Sequence, residues 1–381
     1  MLKNLTIKNF RQFEEVTLQK LARINLIAGR NNVGKSSLLE AIELYAAAGS
    51  PYIAAQLLDK HEERTLFNGE ENQLPLQYLF HQRHINKSIL YIGDQEEKNY
   101  LTYTHHQFIE QDINIDNLPK GIEQENHPLT RLGIARIKKI HKIEQNEVTH
   151  ENKLNGVDIS FQYNSLSEVK NRPFLYESNY DEKKERLRYH DLADELGLPA
   201  TRSVPTGLCK TEELARMWDD IVFTSKEQQV IQALQFIEPK LIDITFIRNK
   251  MIVVKLADRH EPIPLKSLGE GVSRLFQLFL YMVNAQKGVL LIDELENGLH
   301  YRIQPKIWAY IFQLAVDLDI IIFATTHSFD CIRSFSTAWE KFPELGSYHR
   351  LSHSKVNHKL LAVMYDQPSL LDAIKYEAEV R

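Results

Sequence analysis

The chain has 381 residues, enough for one large domain or two to three ordinary ones, and its 43% hydrophobic and 25% charged content is that of a globular protein. A net charge of −5 excludes a protein that grips polyanions over its whole surface, leaving only a local basic patch for such a role. Two cysteines outside any paired metal-ligand spacing, no apolar leader at Met1–Thr6 and no uncharged apolar run near ~18 residues predict a cytoplasmic protein without a membrane partner.

In chain order, apolar Leu2, Leu5, Ile7 and Phe10 predict a first strand over 2–10. Ile24–Ala28 predicts a second strand, which runs directly into Gly29-Arg30-Asn31-Asn32-Val33-Gly34-Lys35-Ser36. Leu38, Leu39, Ile42 and Tyr45 then recur at helical spacing. From about 60 to 240 the texture is more polar, with short strand-like runs such as Ser88–Ile92. The basic run Arg136–Lys142 reads as a solvated helix face, and as a possible contact for nucleic-acid phosphates. Asp181–Arg188 reads as a second solvated helix. Glu212–Gln235 reads as helical, broken near Thr224-Ser225 with Ser225 capping the new start. No heptads persist, so this region is not a coiled-coil arm. Beyond 240 the pattern becomes α/β: a strand at Ile252–Leu256, an apolar helix from Arg274 to Ala285, buried strands at Val289–Ile292 and Ile320–Ala324, and a helix between them. Strand–helix–strand of this length predicts a βαβ unit and a parallel sheet.

Four short segments carry chemistry. In Gly29–Ser36 two glycines let the backbone wrap an anion, and the following helix adds its positive N-terminal end. Such a loop places Lys35 on the β- and γ-phosphates of a nucleotide and the Ser36 hydroxyl on Mg²⁺, with Ser37 beside it. The strand Val289–Ile292 delivers Asp293 and Glu294 to a sheet edge of the kind that binds ligands. There Asp293 would hold the Mg²⁺ shell and Glu294 would polarise an attacking water. His327, after the next buried strand, would reach the γ-phosphate from the same edge. The fourth segment, Ser267-Leu268-Gly269-Glu270-Gly271, would open the Arg274–Ala285 helix as another anion site. More than 200 residues separate the glycine loop from the acidic strand, so one ATP site is drawn from both ends of the chain.

In this order and spacing the four segments resemble the ABC-type ATPase head, an α/β P-loop fold, here carrying a large α+β insertion. The resemblance implies ATP and Mg²⁺ as cofactors. It also implies a homodimer or higher homo-oligomer in which Ser267, Gly269, Glu270 and Gly271 act in trans, their alignment left open by one residue. Asp293-Glu294-Leu295-Glu296-Asn297-Gly298-Leu299-His300 is similar to the acidic motif of OLD ATPases, with Asn297, Gly298 and His300 as the loop that follows. The opening Leu5–Phe13 resembles the first strand of OLD, RecF and SMC-type heads. By that likeness Arg11 would approach the nucleotide, and Gln82 is one candidate for the glutamine that couples an insertion to the γ-phosphate. The expected organisation is a head from 1–60 and 241–351, an insertion at 61–240 and a tail at 352–381.

The run Thr326-His327-Ser328-Phe329-Asp330-Cys331-Ile332 resembles stand-alone bacterial and archaeal members of this class, several of which act with a nuclease in anti-phage defence. Fewer than 30 residues follow His353, too few for a Toprim nuclease domain, so no nuclease activity is expected of this chain and a Toprim or HNH effector would come in trans. The competing readings are a RecF-like ATPase that binds DNA in repair and, less favoured, a transporter ATPase subunit.

Overall fold

The computed structural model describes residues 3–64, 73–85, 89–94, 96, 98–114, 136–142, 153–162, 169–174, 180–247, 251–354, 359–376 and 380. Strands β1 (Leu5–Phe10) and β2 (Phe13–Leu18) form an antiparallel hairpin whose turn is Arg11-Gln12. Strand β3 (Ile24–Gly29) is buried along its whole length and leads into α1 (Lys35–Ala46). A tight corner at Ala48 and Gly49, both at positive φ, then starts α2 (Pro51–Lys60) with proline in its first turn.

Downstream, β4 (Leu90–Gly93), β5 (Tyr100–Asn114), β6 (Arg136–Lys142), β7 (Lys153–Gln162) and β8 (Lys170–Phe174) extend the β1–β2 hairpin. They give a seven-stranded sheet of order β2-β1-β4-β5-β7-β8, with β6 paired to β5, and every pairing is antiparallel. The basic run 136–142 is therefore strand β6, not a helix: its backbone groups are satisfied by the β5 ladder from Phe108↔Lys142 to Asn114↔Arg136. Helix α3 (Glu182–Leu196) matches the second solvated helix, with the Asp181 carboxylate accepting the Lys184 N–H as its cap.

Strand β9 (Thr201–Val204), helices α4 (Thr211–Asp219) and α5 (Ser225–Gln235), and a small antiparallel sheet of β10 (Leu241–Ile247), β11 (Met251–Leu256) and β12 (Ile263–Pro264) come next. The cap of α5 is Thr224 rather than Ser225: the Thr224 hydroxyl accepts the Lys226 N–H, which makes Ser225 the first helical residue. Helix α6 (Glu270–Asn284) begins a full turn before Arg274, at Gly269. Then follow β13 (Val289–Ile292), α7 (Gln304–Asp317), β14 (Ile321–Thr326), α8 (Phe329–Trp339), β15 (Gly346–His353), β16 (Leu360–Tyr365) and α9 (Gln367–Lys375).

The central sheet has the order β16-β15-β3-β14-β13-β9, and all of it is parallel except edge strand β16. Its inner strands β3, β14 and β13 are largely apolar on both faces, as strands covered on both sides require. Ile24, Leu26, Leu290, Ile292, Ile322 and Ala324 join a core with α4 through α9. Ile27, Leu291 and Phe323 face the other way, into a core with α1, α2 and the antiparallel sheet. Helix α1 is thus sandwiched between two sheets, with its N-terminus at the edge where β3, β13 and β14 end.

The segments expected as insertion and tail contribute directly to this architecture. From 61–240, β4, β5, β7 and β8 complete the β1–β2 sheet, while β9 pairs with β13 in the central one. From 352–381, β16 closes the central sheet, and Leu370 and Val380 are buried in its core. Chain position alone does not mark these boundaries, because hydrogen-bond partners lie far apart in sequence.

Candidate functional site

Because β3, β13 and β14 are parallel, the turns that follow them meet at one sheet edge. The first is Gly29–Ser36. A Cβ on Gly29 would sit 2.6 Å from Val33 Cγ1 and 2.9 Å from the Leu351 carbonyl, so only glycine lets the loop fold back on itself. Gly34 has φ 103, the left-handed region, and caps α1. Arg30, Asn31 and Asn32 are exposed at the crest, Val33 is buried beneath, and Ser37 is half-buried in the first helical turn.

Lys35 is only 7% exposed. Its ammonium donates to the carbonyls of Gly29 at 2.8 Å and Arg30 at 2.9 Å, closing the loop around itself. Burial lowers the Lys35 pKa, and the carboxylates of Asp293, Glu294 and Glu296 oppose that shift. A cation held by carbonyls at the mouth of an anion loop is placed to transfer to phosphate oxygens.

The two distant halves touch here. Ser36 Oγ donates to Asp293 Oδ2 at 2.7 Å across 257 positions of sequence, and the Thr325 hydroxyl donates to Asp293 Oδ1. A hydroxyl and a carboxylate face to face are the hard oxygen donors that a divalent cation such as Mg²⁺ takes. Among the described residues no group of three His, Cys, Asp or Glu could hold a metal alone, so phosphate and water oxygens would have to complete such a shell.

Glu294 is presented by a backbone kink with φ 50. Its N–H donates to Thr325 Oγ1 at 2.9 Å, and its Oε2 accepts from Asn297 Nδ2 at 2.8 Å. Its Oε1 lies 3.4 Å from His327 Nδ1, with the two side chains 34% and 43% exposed. Glu294 and His327 are thus adjacent, aimed at the same space and open to a ligand.

The fourth segment stands apart. Ser267, Gly269 and Glu270 are exposed, and an added Cβ at Gly269 would meet no atom within 4 Å. Gly271 packs on the loop after the acidic strand, where its Cβ would lie 2.7 Å from the Gly298 carbonyl; Gly298 itself has φ 73. His300 in that loop is exposed, its ring centroid 4.5 Å from that of Tyr301. The helix behind is tied down by Arg274, which donates to the Pro205 carbonyl, and by Gln277, which donates to the Gly207 carbonyl at 3.0 Å.

Two expected residues are seen only in other contacts. The Arg11 guanidinium is buried against Glu40, Nε to Oε2 at 2.6 Å, and Glu63, Nη1 to Oε1 at 3.0 Å. A buried carboxylate with 1% of its side chain exposed needs that cation, so the Arg11 guanidinium is engaged by two carboxylates. Gln82 is exposed at φ 51, next to His81, whose ring contacts the Arg11 carbonyl at 2.9 Å. The glutamine that does lie on the loop is Gln12: a Cβ on Gly34 would be 2.2 Å from its Nε2. Its signal was its place in the first hairpin turn. Glu296, also unassigned from sequence, accepts the backbone N–H groups of His327 at 2.9 Å and Ser328 at 3.1 Å.

A sequence profile described as an AAA ATPase domain matches residues 1–332. The chain belongs to that family. It is an ATPase. It is 23% identical to an ATP/GTP phosphatase of Helicobacter pylori, over 86% of this chain and 85% of that one. Over 48 residues it is 50% identical to an uncharacterized protein of Methanocaldococcus jannaschii, covering 13% of this chain and 22% of the other. Over 42 residues it is 57% identical to a DNA double-strand break repair Rad50 ATPase of Archaeoglobus fulgidus, covering 11% of this chain and 5% of the other. An SMC head domain from Thermotoga maritima is similar at a TM-score of 0.43 and 11% identity, covering 96% of this chain and 99% of that one. An SMC head bound to the C-winged helix domain of ScpA is similar at a TM-score of 0.48 and 12% identity, covering 98% and 99%. No described helix is long and apolar enough to cross a membrane.

Proposed function

We propose that this ATPase is an ABC-type engine in which two copies close on ATP and Mg²⁺, each copy's Ser267–Gly271 turn completing the other's site. One observation carries the reading: the N-terminus of α6 is exposed, with a glycine at φ 99 and open space around it. Orphan N–H groups at a helix start suit an anion, and this chain's own loop is already served by α1.

In this reading the loop N–H groups and Lys35 hold the β- and γ-phosphates. Ser36 and Asp293 hold Mg²⁺, which would neutralise phosphate charge. Glu294, oriented by Asn297, polarises the water that attacks the γ-phosphorus. His327 reaches a terminal phosphate oxygen from the neighbouring strand end. Closing and opening would then drive a partner, for which a nuclease of Toprim or HNH type in DNA surveillance or anti-phage defence is the reading the acidic motif favours. A second reading, direct ATP-dependent DNA binding in repair, draws on the segment shared with the Rad50 ATPase. Sedimentation of the Glu294→Gln protein with and without ATP-Mg²⁺ tests the closure. A shift from monomer to dimer on adding ATP is expected; an unchanged monomer contradicts it. Duplex DNA added to the same samples separates the second reading from the first.

A further inference from the structure

We infer that Glu296 is a positioning residue for hydrolysis, holding His327 in register with Glu294. The inference rests on the reading above, in which Glu294 and His327 act at the terminal phosphate. Glu296 lies two residues beyond the proposed base and is only 9% exposed. A carboxylate so buried is costly unless its oxygens are used. Its Oε1 accepts the N–H groups of His327 at 2.9 Å and Ser328 at 3.1 Å. Ser328 is the N-cap of α8, its hydroxyl accepting the Cys331 N–H at 3.4 Å. Glu296 therefore occupies the positive end of α8, where a negative charge is favoured. It staples the acidic turn after β13 to the turn after β14.

The same oxygen lies 3.3 Å from His327 Nδ1, which is also 3.4 Å from Glu294 Oε1. A ring nitrogen facing two carboxylates is the one that carries hydrogen, since a lone pair there would meet acceptors on both sides. Nε2 is then the ring atom left for a ligand, and it donates to a phosphate oxygen when it too carries hydrogen. Glu296 thus has two separable tasks: it pins the backbone of His327 through two N–H bonds, and it presents a charge to the ring. A glutamine can keep the first task through its carbonyl oxygen but loses the second.

The test is a double-mutant cycle on ATP hydrolysis by the full chain, using Glu296→Gln, His327→Ala and both together, with ATP affinity and Tm measured alongside. We expect E296Q to keep its ATP affinity and to lose about tenfold or more in kcat, the scale of a mispositioned catalytic group. In the H327A background the same change is expected to cost less than about twofold, because coupled residues are not additive. A purely structural role would instead lower Tm and ATP affinity and multiply with H327A. If E296Q proves unstable, Glu296→Asp in the same cycle decides, since it keeps the charge while withdrawing it from His327. Wild-type kcat in E296Q with H327A impaired would overturn the inference alone. Wild-type kcat in H327A would overturn the role of His327 and the inference with it.

Discussion

Among the described residues, two helices start at a glycine in the positive-φ region, and they are finished differently. At α1, Gly34 is buried under Gln12, Lys35 is tied to two loop carbonyls, and Ser36 already holds Asp293. At α6, Gly269 has no neighbour in the space a side chain would occupy, and Ser267 and Glu270 beside it are exposed. The first start is preassembled by its own chain. The second has its rear packed on the Gly298 turn and its front unused. The contrast separates a loop built tightly around Lys35 from a helix start whose front is open, the difference on which the proposed closure rests.

Substitutions on each side should separate these roles. The largest effects are expected at Lys35 and Glu294, beginning with Lys35→Ala. Loss of a charged donor to phosphate should weaken ATP binding about hundredfold, measured by titration calorimetry. Unchanged affinity would mean that the cradle is not the nucleotide site. Glu294→Gln should leave that affinity in place and cut steady-state turnover about hundredfold or more, as loss of a general base does. Hydrolysis that survives it would move the base elsewhere.

A paired test comes next in size. Ala at Gly34 and at Gly269 both strain the backbone, by about 1–3 kcal/mol each. Only Gly34→Ala also overlaps a neighbour, so its Tm should fall further, together with its ATP affinity. Gly269→Ala should keep ATP affinity while slowing turnover. Equal behaviour of the two variants would erase the distinction between the two helix starts. The smallest effect is expected from Gln12→Ala, about threefold in KM for ATP with kcat unchanged, the scale of one neutral hydrogen bond.

The sheet edge that gathers Gly29–Ser36, Asp293 and Glu294 was legible because its elements are local. An apolar run delivering Asp293 and Glu294, or a glycine loop between strand and helix, declares itself within ten residues. The βαβ unit over β13, α7 and β14 followed from burial on both faces of its strands. What sequence did not expose depends on distant partners. Arg11 was read as nucleotide-facing, yet Glu40 and Glu63, far along the chain, claim its guanidinium. The run at 136–142 carries Ile137 and Ile140 at a helix-compatible spacing, but the β5 ladder sets its conformation. Strand β9 is four residues inside a polar stretch, too short to signal that it pairs with the acidic strand. Glu296 was in view within the acidic motif, but its task depends on His327 and Ser328 arriving from the next strand.

The central claim is that the cradle of one copy is completed by the Gly269 turn of another. Mixing two inactive full-length variants, Lys35→Ala and Gly269→Asp, tests it most directly. A mixed dimer would contain one composite site with an intact Lys35 and an intact Gly269, so ATP hydrolysis absent from either variant alone should appear on mixing and depend on the ratio of the two. If the mixture hydrolyses no more ATP than its components measured separately, the site is not shared between copies and the account is wrong.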